Sequence, residues 1–432
     1  EEMVYTEGEE RTQYFVRNIR VEFGTTLVHS RKISIRAMIE MEVGCENLIE
    51  EETAVDLESS ASIYKKQKPV NLLKLHTAKK DTYRIKEEIT IPGTKESIGQ
   101  VLLTDITGRK LEVRAAQDEL LLRGELQIFC MYLSEEGKTD WLEQSVPYEG
   151  RIECSGATEG MYYDVQHALE DTLADVRMDE DGEMRIIGIE GTVSLRINLY
   201  EEEELNLLED LYSLEQKVSY QTREAVYEEL LLQNQSKCKI VENLSLPELK
   251  DDVLQICHSS GSVQIEHVET RAEKQGGILI EGILHVSFLY LKADDALPFG
   301  NWQGMVPFSY LLECPDMPKD VRYQLSNRVE QISVTMTGSD SVEVKAVLDF
   351  DVFLRKEVPM QVITEVSLEE TDREELAKKP GIVGYMVKSG DDLWTLAKQY
   401  MTTEESIRQI NHLENGKIKP GDKLIICKEI GM

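Results

Sequence analysis

Seven cysteines, at positions 45, 130, 154, 238, 257, 314 and 427, are the side chains of this 432-residue chain best suited to bind a metal, attack a carbonyl or cross-link the fold. Their arrangement favours none of these. They form an odd set with no CxxC and no close pairing, which is the pattern of reduced thiols used as small apolar residues. The seven histidines are scattered. Only His258 and His267, separated by a turn-like SSGS, could approach each other across a hairpin, and neither has cysteines or carboxylates at zinc-ligand spacing around it. Ser339 and Ser341 in TGSDS, and Ser259 to Ser262, lack the G-x-S-x-G elbow that exposes a nucleophile on a strand-to-helix turn. There is no P-loop, dinucleotide glycine fingerprint or HExxH. With 81 acidic residues, no single carboxylate pair is informative. Glu201 to Glu204 reads as a solvated turn after a strand, because hard-cation loops interleave their ligands with glycine. The expectation is a protein without catalytic residues, metal or cofactor.

The charge balance narrows the partners. A net charge of -33 repels nucleic acid and anionic membrane surfaces, and the longest basic clusters, Lys65 to Lys68 and Lys79 to Lys80, are short. Residues 384–432 hold seven Lys plus Arg and seven Asp plus Glu, so the remainder of the chain carries the whole deficit. Basic or neutral protein surfaces are the expected partners of that acidic part. No run reaches the roughly 18 apolar residues of a membrane span, and no signal peptide is visible in a chain that starts at Glu1. At roughly 150 residues per domain, the length implies about three domains.

The elements come from an internal repeat. With an offset of 158, Gly124, Leu126, Ile128, Cys130 and Tyr132 fall on Gly282, Leu284, Val286, Phe288 and Tyr290, one face of one strand used twice. Each copy is followed by an aromatic block, WLEQSVPYEGRIEC or WQGMVPFSYLLEC, and preceded by a proline-marked strand end with a short helical stretch, around Pro92 or Pro247. Trp141 and Trp302 thus read as repeated core anchors. A long alternating strand closes each copy: Ile187 to Leu199 in the first and Val342 to Leu354 in the second. The same alternation runs through Ile33, Ile35, Ala37, Ile39, Met41 and Val43, which implies a truncated copy whose leading half lies upstream of Glu1. The predicted fold is mainly β, with sandwich-like tandem repeats of antiparallel sheets. Its segments are a truncated repeat at 1–62, full repeats at 63–222 and 223–370, and a charged linker or hinge at 371–383.

Residues 384–430 read as a separate α+β unit of βααβ order. The strand Tyr385 to Val387 is followed by Ser389 and Gly390, with Asp391 expected to cap a first helix whose buried face is Leu393, Leu396, Ala397 and Tyr400. Thr403, Glu405 and Ser406 open a second helix with an Ile407 and Ile410 stripe, ended by Asn411. Pro420 and Gly421 turn into the closing strand Leu424 to Ile426. Through VKSGDDLW, Asn411 and KPGDKL, this segment resembles a LysM domain. The departure is Met401, where that family usually has glycine in a left-handed turn. Trp394 is expected to be partly buried.

The upstream copies resemble the SPOCS domains of spore-coat morphogenetic proteins, through the IPG or LPEL opening, the G-x-L-x-(I/V)-x-x-x-Y strand, the VPY or VPF block and the long alternating strand. Tandem SPOCS-type domains ahead of a LysM domain imply a scaffold or adaptor of endospore coat assembly in the mother-cell cytoplasm, at the forespore surface. The resemblance implies the coat-basement ATPase and other coat proteins as partners, with an N-acetylglucosamine-containing glycan such as peptidoglycan as the second ligand class. A secreted or surface-anchored peptidoglycan-binding protein is the alternative reading. Carried over from LysM domains, the ligand groove lies between Ser389, Gly390, Asp391 and Asp392 on one side and Ile418, Lys419 and Pro420 on the other. Its small polar groups and backbone amides suit either a sugar or an extended peptide.

Overall fold

The structure is a computed structural model that describes residues 12–47, 49–50, 53–59, 62–250, 252–272, 276–292, 298–370, 380–413 and 417–429. The chain divides into two compact units, one of Glu1–Leu48, Leu73–Glu202 and Leu230–Lys356, the other of Ile49–Leu72, Glu203–Glu229 and Glu357–Met432.

In the first unit, each full repeat folds as two three-stranded sheets around one core. In the first repeat, β4 (Ile98–Ala116), β5 (Glu119–Ser134) and β6 (Thr139–Glu153) form an antiparallel meander, while β3 (Ile63–Thr90), β8 (Met184–Ser213) and β7 (Tyr162–Met178) form the second sheet in that order. The second repeat repeats the plan. Its meander is β10 (Val253–Arg271), β11 (Gly277–Lys292) and β12 (Phe299–Glu313). Its other sheet orders β13 (Val321–Met336), β14 (Ser341–Glu370) and β9 (Gln216–Ser245). The boundary expected between residues 222 and 223 falls inside β9. The alternation predicted from sequence supplies the cores: Leu126, Ile128 and Tyr132 of β5 meet Ile187, Ile189, Ile197 and Leu199 of β8, all fully buried. Each such side chain contributes roughly 1.5–3 kcal/mol by leaving water.

The repeated glycine has a steric cause. A Cβ on Gly124 would lie 2.2 Å from the Tyr148 ring, and one on Gly282 would lie 2.3 Å from the Gln264 carbonyl oxygen and 2.9 Å from the Phe308 ring. Tyr148 and Phe308 are the aromatics of the VPY and VPF blocks, and each sits directly across the ladder from its glycine. The two halves of the sequence motif are one cross-strand pair, an aromatic ring laid over a bare backbone.

Several sequence expectations are corrected in these repeats. The tryptophans do not occupy equivalent places: Trp302 pairs with Phe288 and stacks on it at 5.1 Å, whereas Trp141 pairs with Met131. The position equivalent to Phe288 is Cys130, whose partner is Leu142, so a one-residue difference puts Trp141 on the opposite face, with the Lys95 ammonium 6.0 Å from its ring centre. No helix follows Pro92, and the second proline opens only a single 3-10 turn, Pro247–Leu249. Glu201 to Glu204 continue β8 rather than turning away from it, and the SSGS between His258 and His267 is continuous strand within β10. Five cysteines, 130, 154, 238, 257 and 314, are buried as apolar residues, while Cys45 is exposed and Cys427 half-buried.

Where the two repeats meet, the second face of β5 is buried as well. Phe129 stacks on the His258 imidazole of β10 at 4.2 Å, and His258 Nε2 lies 2.8 Å from an Asp105 carboxylate oxygen of β4. Burial pulls the His258 pKa down, but the contacts to Asp105 and Glu143 more than offset this and leave it raised. The remaining pair in this unit is an antiparallel hairpin, β1 (Thr12–His29) with β2 (Lys32–Asn47). Its apolar face differs from that of the full repeats: Ile33 and Ile35 are 65% and 67% exposed, whereas Ile187 and Val344 are fully buried. The sequence pattern is that of a half-core, and in the described residues its face is open.

The second unit holds the βααβ element. β15 (Ile382–Met386) pairs antiparallel with β16 (Lys423–Cys427), and α1 (Leu393–Tyr400) and α2 (Glu404–Ile410) connect them. Val387, Leu393, Leu396, Ala397, Ile407, Leu424 and Ile426 make its core. Ile410, expected in the α2 stripe, is exposed. Of the predicted linker, 371–379 lies outside the described residues.

Candidate binding groove of the C-terminal domain

The groove loops are shaped by short side-chain oxygens. The helix cap is Asp392 rather than the expected Asp391: its Oδ1 accepts from Thr395 N at 2.7 Å, three residues along. Asp391 closes the preceding loop instead, with Oδ2 accepting from Lys388 N at 2.7 Å and from the Tyr385 hydroxyl at 2.9 Å. That carboxylate raises the pKa of the Tyr385 phenol. Gly390 has φ of +94°, a conformation that glycine adopts without strain.

The facing loop is a type II turn. Asp422 N donates to Lys419 O at 3.0 Å, Gly421 takes φ of +96° after Pro420, and Asp422 Oδ2 accepts from Lys419 N at 2.8 Å. The two loops are joined at their roots, because Gly421 N donates to Val387 O at 2.8 Å and Val387 N to Asp422 O at 2.9 Å. The sequence-predicted residues are thereby brought together. Ser389, Gly390, Asp392, Lys419 and Pro420 are exposed, and Asp391 and Ile418 are half-buried. Asn411 ties the end of α2 to β16: its amide donates to the Ile407 and Ile425 carbonyls at 2.9 and 2.8 Å, and its Oδ1 accepts from Ile425 N at 2.7 Å. Met401 itself takes the left-handed conformation, φ 53°, with its side chain buried.

The groove's carboxylates are committed within the protein. Asp391 and Asp422 cap their own loops, and Asp392 caps α1 and lies 3.6 Å from the Lys66 ammonium of β3. Lys388 and Lys419, one on each loop, form no ion pair among the described residues. Lys388 and Lys419 are thus the positively charged groups of these loops left without an internal ion pair among the described residues, beside three carboxylates that are hydrogen-bonded within the fold but keep their charge.

Sequence reasoning missed what α1 packs against. Trp394 Nε1 donates to Asp210 Oδ2 of β8 at 2.8 Å, Lys398 pairs with the other oxygen, and the Tyr220 hydroxyl donates to it at 2.7 Å. Burial raises the pKa of Asp210, but these three donors outweigh it, and the carboxyl is held below its ordinary value. Tyr212 is 4.9 Å from Trp394 edge-on, stacks on Tyr64 at 5.0 Å, and donates its hydroxyl to Thr402 O at 3.0 Å. The signal available was the apolar spacing within LNLLEDLYS, obscured by the run of four glutamates before it.

The LysM domain family matches residues 385–426, and the SipL, SPOCS domain family matches residues 97–177 and 252–337. Each SPOCS match runs from the first meander strand to the strand before the long alternating one, and β1–β2 lies outside both. No curated protein and no solved structure matches the chain. In the described residues, no helix is long and apolar enough to cross a membrane. Repeated β domains that match SPOCS, followed by a βααβ domain that matches LysM, give this chain the SipL-like architecture of spore-coat morphogenetic proteins and a coat-associated binding role.

Proposed function

We propose that the chain is a non-enzymatic adaptor of endospore coat assembly that docks a protein of the coat basement layer, the ATPase at the forespore surface, through its LysM groove. The observation that carries this reading is the polarity of the groove. Its three carboxylates are held by hydrogen bonds within the fold, which leaves Lys388 and Lys419, one on each loop and both exposed, as the groups able to pair with a ligand's charge. Two exposed lysines suit an extended acidic segment of a protein, and the SPOCS pair supports reading the chain as a coat protein that acts from the mother-cell cytoplasm. Thiol chemistry supports the non-enzymatic part of the reading, because burial pushes Cys130 up to about 11 and raises Cys154, Cys238, Cys257 and Cys314, away from thiolate.

Glycan binding is the second reading, favoured by the LysM match itself. The test uses the full chain with Lys388→Glu and Lys419→Glu together. On the protein-docking reading, capture of the basement ATPase falls by at least about tenfold, equivalent to 1.4 kcal/mol, while sedimentation with peptidoglycan is negligible before and after. Strong peptidoglycan sedimentation by the unaltered chain, with no ATPase capture, would reverse the assignment.

A further inference from the structure

We propose that a cavity of about 610 Å³ between the two full repeats binds a small organic oxyanion, a carboxylate or phosphate carried on an apolar body. The cavity opens between β4 of the first repeat and β9, β13 and β14 of the second, and Ile332, Ala346 and Val347 give it an apolar wall. Four cations line it, in a chain that is otherwise strongly acidic: Arg109, Lys110, Lys239 and Lys345. Two are satisfied, since Lys110 pairs with Glu125 at 2.8 Å and Lys345 with Glu343 at 2.5 Å. The lining Glu330 is taken by Lys237 at 2.7 Å. Arg109 and Lys239 form no ion pair among the described residues.

Arg109 is half-buried, and burial lowers its pKa, against the pull of Glu143, Glu125 and Asp105. Those three carboxylates are engaged elsewhere, Glu125 by Lys110, Glu143 by Gln127 at 3.0 Å and Asp105 by His258 at 2.8 Å. A guanidinium withdrawn from water and lacking a contact partner is matched best by an oxyanion that accepts two parallel hydrogen bonds.

The backbone that carries it is also unusual. β4 is bulged between Arg109 and Glu112, and Lys110 within the bulge has φ of 51°. A non-glycine residue is seldom held there, and backbone strain of this kind recurs at functional sites. Bulges re-aim side chains, and this one sits where Arg109 reaches the cavity. The second repeat keeps a bulge in β10, between Ile265 and His267, but without a positive φ. The residue equivalent to Arg109 by ladder position is the neutral Gln264, which is hydrogen-bonded to His285 at 3.0 Å. The cation and the strained backbone thus belong only to the copy whose bulge borders the cavity.

The test is calorimetric titration of the full chain with phenyl phosphate, benzoate and inorganic phosphate. The expected result is saturable binding of phenyl phosphate or benzoate, at least about tenfold tighter than inorganic phosphate, with the stronger of the two identifying the headgroup. Arg109→Gln should weaken it at least about tenfold. Lys239→Gln, at the exposed rim, should weaken it several-fold while leaving the melting temperature without probe unchanged, which separates binding from folding. Absence of saturable binding to either aromatic probe, or equal affinity in wild type and Lys239→Gln, overturns the proposal.

Discussion

Asp210 accepts from three donors on two elements, and its loss would leave an indole N–H, an ammonium and a phenol without their common acceptor. Asp210→Ala should cost about 2 kcal/mol in the second unit, as expected for buried donors stripped of a charged partner. The measurement is denaturant unfolding followed by tryptophan fluorescence, with Trp394 moving to longer wavelength. Because the Asp210 pKa is depressed on folding, its contribution is present above the ordinary carboxylate value of 3.8 and is lost as pH falls through the lower folded value. His258 has the opposite sign. Its folded pKa is raised above 6.5 by Asp105 and Glu143, so its stabilisation is full below 6.5 and declines as pH rises through the folded value. The stability lost in His258→Gln should therefore be larger at pH 5.5 than at pH 8.5, and an equal loss at both would remove the charge from the account.

Among the elements, the glycine and aromatic pair carries the sharpest expectation. Gly282→Ala places a methyl group 2.3 Å from a backbone oxygen, and overpacking of this kind costs typically about 1–3 kcal/mol, read as a lowered melting temperature. The long alternating strands, the repeated G-x-L strand and the βααβ order were legible in the sequence because each is a periodic pattern with one buried face. Three things were not. Trp141 and Trp302 look equivalent along the chain, yet register decides the face, and register is set across the ladder rather than within a strand. Asp391 and Asp392 are adjacent potential caps, and only the backbone path selects the second. Of the groove, both loops were readable from motif, but the commitment of their carboxylates to Lys388 N, Lys419 N and Lys66 depends on tertiary geometry.

For the whole molecule, charge is divided by function. The acidic repeats keep their basic clusters on β3, the edge strand of its sheet, where lysines discourage pairing with a further strand. Lys66 and Lys65 there are partnered by Glu209 and Asp56. Capture of an acidic partner by Lys388 and Lys419 should weaken steadily with added salt, whereas binding to an uncharged glycan should not, and a salt titration of the full chain separates the two. The strand order also dictates how the chain must be made. β3 ends at Thr90 and its neighbour β8 begins at Met184, and β9 ends at Ser245 while β14 begins at Ser341. During synthesis each leading strand stays unpaired until its whole meander has left the ribosome. The meanders, with their local hairpins, fold first, and closure of each sandwich waits on a distant partner, which makes folding slow and leaves a strand of 28 or 30 residues exposed to aggregation in the interval.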